Sequence, residues 1–309
     1  MRKAFVNAIS NIMDENEKVL LLIGDIGAYL LKDITAKYPN RVINMGIAEA
    51  GMMSAAVGLA LEGWIPFVYT ITPFVTARAY DQIRAGVGYH EANVKIVGVG
   101  SGLSYSALGG THHSIEDIAI MRSIPGMTII SPADGPETAE ATIKTANHFG
   151  PVYLRLMLNV EPLQVNKRKP FKIGESEKLF QGKNLTIIAT GELVREALEV
   201  QNLLIKDDIS TNVINMSTIK PIDKKAIEMA MKETSIIFTL EEHNIIGGLG
   251  SAVAEVMSES KIKSKSRLVR LGIEDSFTNK YGHKHELYEY IGLDSKSLYK
   301  RIKKEIKNG

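Results

Sequence analysis

Short apolar runs alternate with helical patterns along the first half of the chain. The strand-like runs are found at residues 19–23, 42–44, 66–69, 94–99, 128–130 and 152–154. Helical periodicity lies between them, near residues 48–61, 74–85 and 136–148. This alternation predicts a three-layer α/β domain, in which helices cover both faces of a mostly parallel sheet.

The periodicity stops between residues 159 and 183, where Pro162, Pro170, Gly174 and Gly182 occur among lysines. Such a composition predicts a linker. The pattern then restarts, with strand-like runs at 185–189, 211–215 and 235–239 and helical stretches near 193–205, 224–232 and after residue 251. We therefore predict two α/β domains, over residues 1–158 and 184–309, joined by a linker over 159–183.

Composition places the chain among ordinary globular proteins. Of its 309 residues, 45% are hydrophobic and 23% are charged, and the net charge is +2. The absence of cysteine excludes disulfides, thiolate zinc sites and a cysteine nucleophile. The lysines at 261–265 and 300–304 lack interleaved aromatic residues and are typical of a solvated face rather than of a nucleic-acid surface. The chain starts with an amphipathic pattern instead of an apolar signal segment, so we expect a cytoplasmic protein.

Glu49 is a carboxylate in the least polar part of the chain. Residues 42–77 contain no lysine or arginine, and Glu62 is the other acid in this stretch. An acid in the first turn of a helix is stabilised by the helix dipole, which gives Glu49 a structural explanation. Its apolar surroundings also suit a group that holds or passes a proton in general acid-base catalysis. Residue type alone leaves both explanations open.

His112, His113 and Phe74 are further candidates for a binding site. The two histidines lie in a polar, glycine-rich segment between α/β elements, where ligands of open sheets bind. Adjacent residues point in different directions, so we expect at most one histidine to face a ligand. No third ligand lies at a spacing that would complete a metal site with them. Phe74 follows Pro73 and is either a core aromatic or a platform on which an aromatic ligand stacks.

Two glycine clusters match nucleotide-binding loops only in part. Residues 98–102, Gly-Val-Gly-Ser-Gly, follow a strand, but the third glycine of a G-x-G-x-x-G fingerprint falls on Leu103. Residues 247–251, Gly-Gly-Leu-Gly-Ser, lack the lysine of a phosphate-binding loop, and close packing of a strand and a helix explains them. The first cluster keeps a dinucleotide-binding domain as one alternative.

Five segments resemble the C-terminal portion of transketolases in their order and spacing. They are NMGIAEAGMMSAAVGLALEG, RAYDQIRAGVGYHEANVKIV, GGTHHSIEDIAIMRSIPGMTIISPAD, TIKPID and EEHNIIGGLGSAV. The resemblance extends from about Arg2 to the end of the chain. It implies the pyrimidine-binding domain and the C-terminal domain of a thiamine-diphosphate enzyme.

The resemblance implies a catalytic and cofactor-binding role for Glu49. In this family the glutamate of the Gly-Ile-Ala-Glu motif hydrogen-bonds N1′ of the cofactor's aminopyrimidine and favours the imino form of its 4′-amino group. That imine removes the C2 proton of the thiazolium, so the cofactor supplies the carbanion chemistry while the protein positions it. Phe74 occupies the position at which an aromatic ring of the family stacks on the pyrimidine. The resemblance also implies that Asp25 and Arg78 contact the cofactor.

The substrate residues are implied in the same way. His112 matches the histidine of the Thr-His pair and is predicted to be catalytic, and Arg155 and Arg2 match arginines that contact the substrate phosphate. Leu108 stands where an aspartate reads a donor hydroxyl, and Tyr29 stands where a serine contacts phosphate. A leucine at the first position leaves that hydroxyl unpaired, which argues against ordinary pentose phosphates.

A complete transketolase also has a diphosphate-binding domain, in which a Gly-Asp-Gly sequence and an asparagine pair hold the metal. Residues 24–27, Gly-Asp-Ile-Gly, are not followed by such a pair, and Asp25 fits the end of the first strand better. The resemblance therefore implies a split enzyme. A second polypeptide supplies that domain and the Mg²⁺ ligands, and the usual assembly of such relatives is α2β2.

The sequence thus predicts the pyrimidine-domain subunit of a thiamine-diphosphate-dependent enzyme that transfers a two-carbon ketol unit to a carbonyl acceptor. The departures at Leu108 and Tyr29 leave room for a modified or nucleotide-linked sugar. The alternative enzyme is similar to 1-deoxyxylulose-5-phosphate synthase or to the β-type subunit of 2-oxo-acid dehydrogenases, with a pyruvate-like donor. A non-catalytic subunit that kept the fold is an alternative of another class, and it leaves the retained Glu49 unexplained.

Overall fold

The structure is a computed structural model, and it describes residues 1–158, 160–165 and 168–307. Positions 159, 166 and 167 of the predicted linker, and residues 308 and 309, lie outside the described residues. The strands are β1 (Val19–Ile23), β2 (Val42–Asn44), β3 (Ile65–Ile71), β4 (Lys95–Val99), β5 (Thr128–Ile130), β6 (Val152–Leu156), β7 (Glu177–Phe180), β8 (Leu185–Ala189), β9 (Thr211–Asn215), β10 (Thr218–Lys220), β11 (Ile236–Asn244) and β12 (Arg267–Ile273).

Helices connect most of these strands. They are α1 (Arg2–Glu15), α2 (Ala28–Lys37), α3 (Glu49–Leu61), α4 (Thr72–Val75), α5 (Asp117–Arg122), α6 (Gly135–Asn147), α7 (Leu193–Leu204), α8 (Lys224–Glu233), α9 (Leu249–Glu259), α10 (Lys284–Ile291) and α11 (Ser295–Lys307). Gln82–Gly88 form a π-helix, and Gly109–Thr111 and Ile205–Asp207 form short 3₁₀ turns.

The strands form two sheets. The first has seven strands in the order β10-β5-β6-β4-β3-β1-β2, and the second has five in the order β12-β11-β8-β9-β7. Pairing is parallel except for β10 with β5 and β7 with β9. The predicted α/β class and the mostly parallel sheets are therefore confirmed.

Strand β1 shows how the first sheet is covered on both faces. All five of its residues are buried. Leu21 and Ile23 join the apolar core that contains Phe5 and Ile9 of α1, while Leu20 and Leu22 join the core that contains Met52 of α3. Side chains alternate between the two faces of a strand, so an unbroken apolar run fits a sheet with helices on both sides.

The predicted helix over 74–85 is replaced by two short pieces. Helix α4 makes one turn and ends at Val75, and the π-helix begins at Gln82. The hydroxyl of Thr76 donates to the carbonyl of Thr72 at 2.7 Å, a side-chain bond that competes with regular helical pairing. A Cβ at Gly86 would lie 2.9 Å from Val57, so the wider turn brings the chain close to α3 there.

The two halves of the chain share a sheet. Strand β10 follows the second domain's β9 but pairs with β5 in the first sheet. Strand β7 lies inside the predicted linker and pairs with β9 at the edge of the second sheet. The carboxylate of Asp134, at the start of α6, accepts from Leu163 N–H at 2.8 Å and binds Arg168, which fastens the connecting segment to the first domain.

Candidate active site

Glu49 begins α3 at the carboxyl edge of the first sheet. It is 2% exposed, and its position in the first turn agrees with stabilisation by the helix dipole. Its Oε2 accepts a hydrogen bond from Nη1 of Arg78 at 2.8 Å. The carboxylate is therefore paired, by a residue that lies just beyond the uncharged stretch of the sequence.

Arg78 also joins Glu49 to Phe74. Its guanidinium carbon lies 4.1 Å from the centroid of the Phe74 ring. Phe74 is held by α4 at the end of β3 and is half-buried rather than part of the core. Since the side chain of Arg78 is 46% exposed, the covered face of Phe74 can be uncovered by a side-chain movement.

His112 also packs against the ring of Phe74. The two rings are 5.2 Å apart at an interplanar angle of 69°, and the Tyr105 ring is 5.9 Å from His112. Nδ1 of His112 and the hydroxyl of Thr111 are 2.9 Å apart and share a hydrogen bond. The neighbouring His113 is buried, and this burial lowers the pKa of its imidazole. As expected for adjacent residues, one histidine faces the site and the other does not.

The predicted residues Glu49, Phe74, Arg78 and His112 thus form one cluster at the carboxyl ends of β2, β3 and β4. It contains a buried carboxylate, an aromatic platform and an imidazole. This combination can bind a planar, hydrogen-bonding heterocycle and move a proton at its edge.

Asp25 and Arg2 lie at the same edge, beside this cluster. Asp25 follows β1 with a positive φ of 54°, and its carboxylate accepts from the amide of Asn44 at 2.8 Å. Arg2 begins α1 and lines a cleft of about 500 Å³ with Lys3 and the first turn of α2, which includes Tyr29. The cleft places two cations where an anionic group can enter.

The structure contradicts the prediction that Arg155 contacts substrate. Arg155 lies within β6 and is 1% exposed. Its Nε donates to Asp117 at 2.7 Å, and its Nη2 donates to the carbonyl of Glu242 at 3.0 Å. Burial works against its charge, but the Asp117 carboxylate outweighs this and raises the pKa of Arg155. All these hydrogen bonds of the guanidinium are to buried protein groups. The short strand pattern around Arg155 in the sequence does not reveal these partners.

The glycine cluster at 98–102 makes room for protein side chains rather than for a dinucleotide. A Cβ at Gly98 would lie 2.8 Å from the hydroxyl of Thr72, and one at Gly102 would lie 2.6 Å from Cδ of Glu242. At the second cluster, Glu241 accepts from Leu249 N–H at 2.6 Å, which caps α9. A Cβ at Gly250 would lie 2.8 Å from the hydroxyl of Thr239 in β11, which agrees with the close packing of a strand and a helix expected there.

Among residues 1–158, 160–165 and 168–307, no group of three histidine, cysteine, aspartate or glutamate side chains is placed to hold a metal ion. Within the same ranges, no helix combines the length and apolarity needed to cross a membrane.

Comparison with known families matches both domains. Residues 1–158 match the pyrimidine-binding domain of transketolase, and residues 174–298 match the transketolase C-terminal domain. A putative transketolase C-terminal section from Methanocaldococcus jannaschii is 39% identical over 99% of this chain and 96% of its own length. The 6-deoxy-6-sulfo-D-fructose transketolase subunit SqwH from a Clostridium species is 36% identical over 96% of this chain and 92% of its own length.

The fold agrees with these matches. A solved split gene transketolase, described as an inactive beta4 tetramer, superimposes with a TM-score of 0.88 at 34% identity, covering 99% of this chain and 97% of that one. The chain belongs to the transketolase family, whose members are transferases. It is a transketolase-like subunit made of the pyrimidine-binding and C-terminal domains.

Proposed function

We propose that this chain supplies the pyrimidine half of a thiamine-diphosphate site in a split transketolase-like enzyme, and that a second polypeptide completes the site. The observation that carries the proposal is the contact of Glu49 and Phe74 with one planar cation. The guanidinium of Arg78 donates to the carboxylate of Glu49 at 2.8 Å and covers the ring of Phe74 at 4.1 Å.

An aminopyrimidine suits the same two contacts. Its flat ring stacks on Phe74, and a protonated ring nitrogen donates to the buried carboxylate of Glu49. Arg78 is exposed enough to leave the ring face when such a ligand takes its place. The residues present therefore fit the pyrimidine part of thiamine diphosphate.

The protein's part in the reaction is to bind, orient and move protons. Bound thiamine diphosphate supplies the carbanion chemistry that makes and breaks carbon-carbon bonds beside a carbonyl. The carboxylate of Glu49 holds a proton at the pyrimidine nitrogen, and its burial keeps water from competing for that proton. His112 has Nδ1 engaged with Thr111 and offers Nε2 for proton transfer to a substrate oxygen.

The surface around the site supports a partner subunit. Tyr29, Ile47 and Leu108 are 96%, 74% and 52% exposed, and each follows the carboxyl end of a strand in the first sheet. On α3, a Cβ at Gly51 or Gly58 would meet no atom of another described element within 4 Å, so another surface can approach closely there. Exposed apolar residues grouped around a site are typical of protein interfaces.

We assign the diphosphate and Mg²⁺ contacts to the partner, as the resemblance to complete transketolases implies. The split relative that forms a tetramer of one subunit type is described as inactive, which supports the need for a second type of subunit. An α2β2 assembly would pair each copy of this chain with one such partner.

We propose an anionic sugar as substrate, with transfer of a two-carbon ketol unit to a carbonyl acceptor. Arg2 and Lys3 line the cleft beside the site and suit a phosphate or sulfonate group. One relative carries a sulfonated sugar in its name, which supports an anion other than an ordinary pentose phosphate. The side chain of Leu108 cannot hydrogen-bond a donor hydroxyl, which agrees with a substrate other than an ordinary pentose phosphate.

Purification of the complex from its native source tests the proposal. We expect a second polypeptide to co-purify, together with thiamine diphosphate and Mg²⁺ in amounts matching the number of sites. Incubation with pyruvate should release no carbon dioxide, because the donor is a ketose. A chain that purifies alone without thiamine diphosphate would contradict the proposal, and pyruvate decarboxylation would favour the pyruvate-using alternative.

A further inference from the structure

The loop that carries His112 is closed at a narrow neck. Gly102 N–H donates to the carbonyl of Ser114 at 3.0 Å, and Ser114 N–H donates back to Gly102 at 2.9 Å. We call residues 102–114 the histidine loop. Tyr105 and His112 lie within it, and the ring of His112 packs against Phe74 at a centroid distance of 5.2 Å.

A residue of the second domain holds this neck. Glu242 lies near the end of β11, is 2% exposed, and accepts a hydrogen bond from Leu103 N–H at 2.8 Å through Oε1. Gly102 has a φ of +64°, and a Cβ there would lie 2.6 Å from Cδ of Glu242. A left-handed glycine is therefore needed for the loop to come so close to the carboxylate.

Glu242 is itself fixed from the other side by Lys284. Nζ of Lys284 lies 3.4 Å from Oε1 of Glu242 and also contacts Glu192. Burial raises the pKa of Glu242, and the charge of Lys284 opposes that rise. Because Lys284 keeps Glu192 as a partner, replacement of Glu242 does not leave the lysine as an uncompensated buried charge.

Two further contacts tie the histidine loop to the same domain. The N–H of Gly282, just before α10, donates to the carbonyl of Ser106 at 3.3 Å. Nη2 of Arg155 donates to the carbonyl of Glu242 at 3.0 Å and to that of Ser114 at 3.4 Å. The second domain thus contacts the loop at its neck and at its outer part.

From these contacts we infer that Glu242 is a positioning residue: its carboxylate anchors the neck of the histidine loop and so holds His112 against Phe74. The C-terminal domain, which adds no residue to the cluster around Glu49, acts on the site through this anchor. The role of His112 in catalysis rests on the proposed function, whereas the anchoring of the loop does not.

Hydrogen exchange on the full chain tests the anchor without any ligand. Glu242→Met removes the acceptor, and Glu242→Gln keeps a carbonyl oxygen for Leu103 N–H. Glu255→Met is the matched control, because Glu255 also joins the two domains, at 2.6 Å from Arg122, but does not touch the histidine loop.

We expect amides that are hydrogen-bonded inside the loop, such as those of Leu108 and His112, to exchange at least about tenfold faster in Glu242→Met. The reason is that the loop opens more often once Leu103 N–H has lost its bond to the buried carboxylate. Glu242→Gln and Glu255→Met should exchange there as the wild type does. Equal loop exchange in all four proteins would overturn the inference, and so would equal loosening by Glu255→Met.

A second variant covers the case in which Glu242→Met does not fold. Glu242→Asp keeps the charge beside Lys284 but shortens the side chain, so the loop should loosen in the same direction. Unchanged loop exchange in this variant would also overturn the inference.

Activity of the complex with its partner gives a separate readout. We expect kcat to fall in Glu242→Met and to be restored in Glu242→Gln, with KM for the substrate little changed. If even the wild-type complex lacks ketol transfer, the proposed function fails while the exchange result still decides the role of Glu242.

Discussion

At the scale of single residues, one ion pair lies in the candidate active site and another stabilises the fold. Glu49 and Arg78 meet at the site, where the arginine is partly exposed and can move. Arg155 and Asp117 meet inside the first domain, where both are almost wholly buried. Since a buried charge that loses its partner is costly, the second pair should be felt in stability rather than in substrate binding.

Arg155→Met should lower the free energy of unfolding by about 3–5 kcal/mol, because Asp117 is left as an unpaired buried charge. Chemical denaturation of the full chain measures this. Arg267→Met is the control: its pair with Glu305 is partly exposed, so its loss should cost below about 1 kcal/mol. Unchanged stability together with a raised KM would restore Arg155 to the substrate site.

At the scale of elements, β11 carries three consecutive buried polar residues near its end, and two of them bind the first domain. Glu241 caps α9, Glu242 holds the histidine loop, and Nε2 of His243 accepts from Ala119 N–H at 3.3 Å. Nδ1 of His243 donates to the carbonyl of Asn244 at 2.6 Å. This pattern requires the neutral imidazole, and burial lowers the pKa of His243 to about 4.

The His243 contact predicts a loss of stability in acid. Between pH 6.5 and pH 4 the unfolded chain protonates this histidine while the folded chain does not, so stability falls as the pH falls. From pH 7 to pH 5 the wild type should lose on the order of 2 kcal/mol more than His243→Gln does. Chemical denaturation at both pH values measures the difference between the two proteins.

The comparison of variants is needed because Glu241 works in the opposite direction. Burial raises the pKa of Glu241 to about 7, so this group stabilises the fold as the pH falls from 7. His90→Gln, which replaces an exposed histidine, is the control substitution. A pH dependence of His243→Gln equal to that of the wild type would contradict the argument.

The elements best predicted from the sequence are those with a strong period of their own. Strands β8 and β9 and helix α3 have bounds within one residue of those expected, because apolar runs and helical spacing are local signals. The prediction of one helix over 74–85 is wrong, because the shape of this stretch depends on contacts with Ser101 and Val57 that are distant in sequence.

The site shows the same division. The resemblance around Glu49 implied that Phe74, Arg78 and His112 belong to the same site. In the structure these three residues form one cluster with Glu49. The apolar stretch around Glu49 does not reveal its pairing with Arg78, and the sequence does not reveal Glu242, because that residue acts from the other domain. Sequence order does not reveal which side chains meet across a domain boundary.

At the scale of the whole molecule, the two domains are joined by more than a linker. The antiparallel pairing of β10 with β5 places a strand of the second half in the first sheet, and Glu137 of α6 accepts hydrogen bonds from Asn215 at 3.0 Å and from Ser217. Such a joint holds the C-terminal domain against the histidine loop. The exposed side chains of Tyr29, Ile47 and Leu108 are left open for the proposed partner.

The central claim is that Glu49 of this chain does proton-transfer work in a site completed by another subunit. The most direct measurement compares ketol transfer by the reconstituted complex containing wild-type Glu49 or Glu49→Gln, at equal cofactor occupancy. Glutamine keeps the shape but cannot hold the proton, so we predict a loss of about 10²- to 10⁴-fold in kcat. Activity within a few-fold of the wild type would contradict the claim.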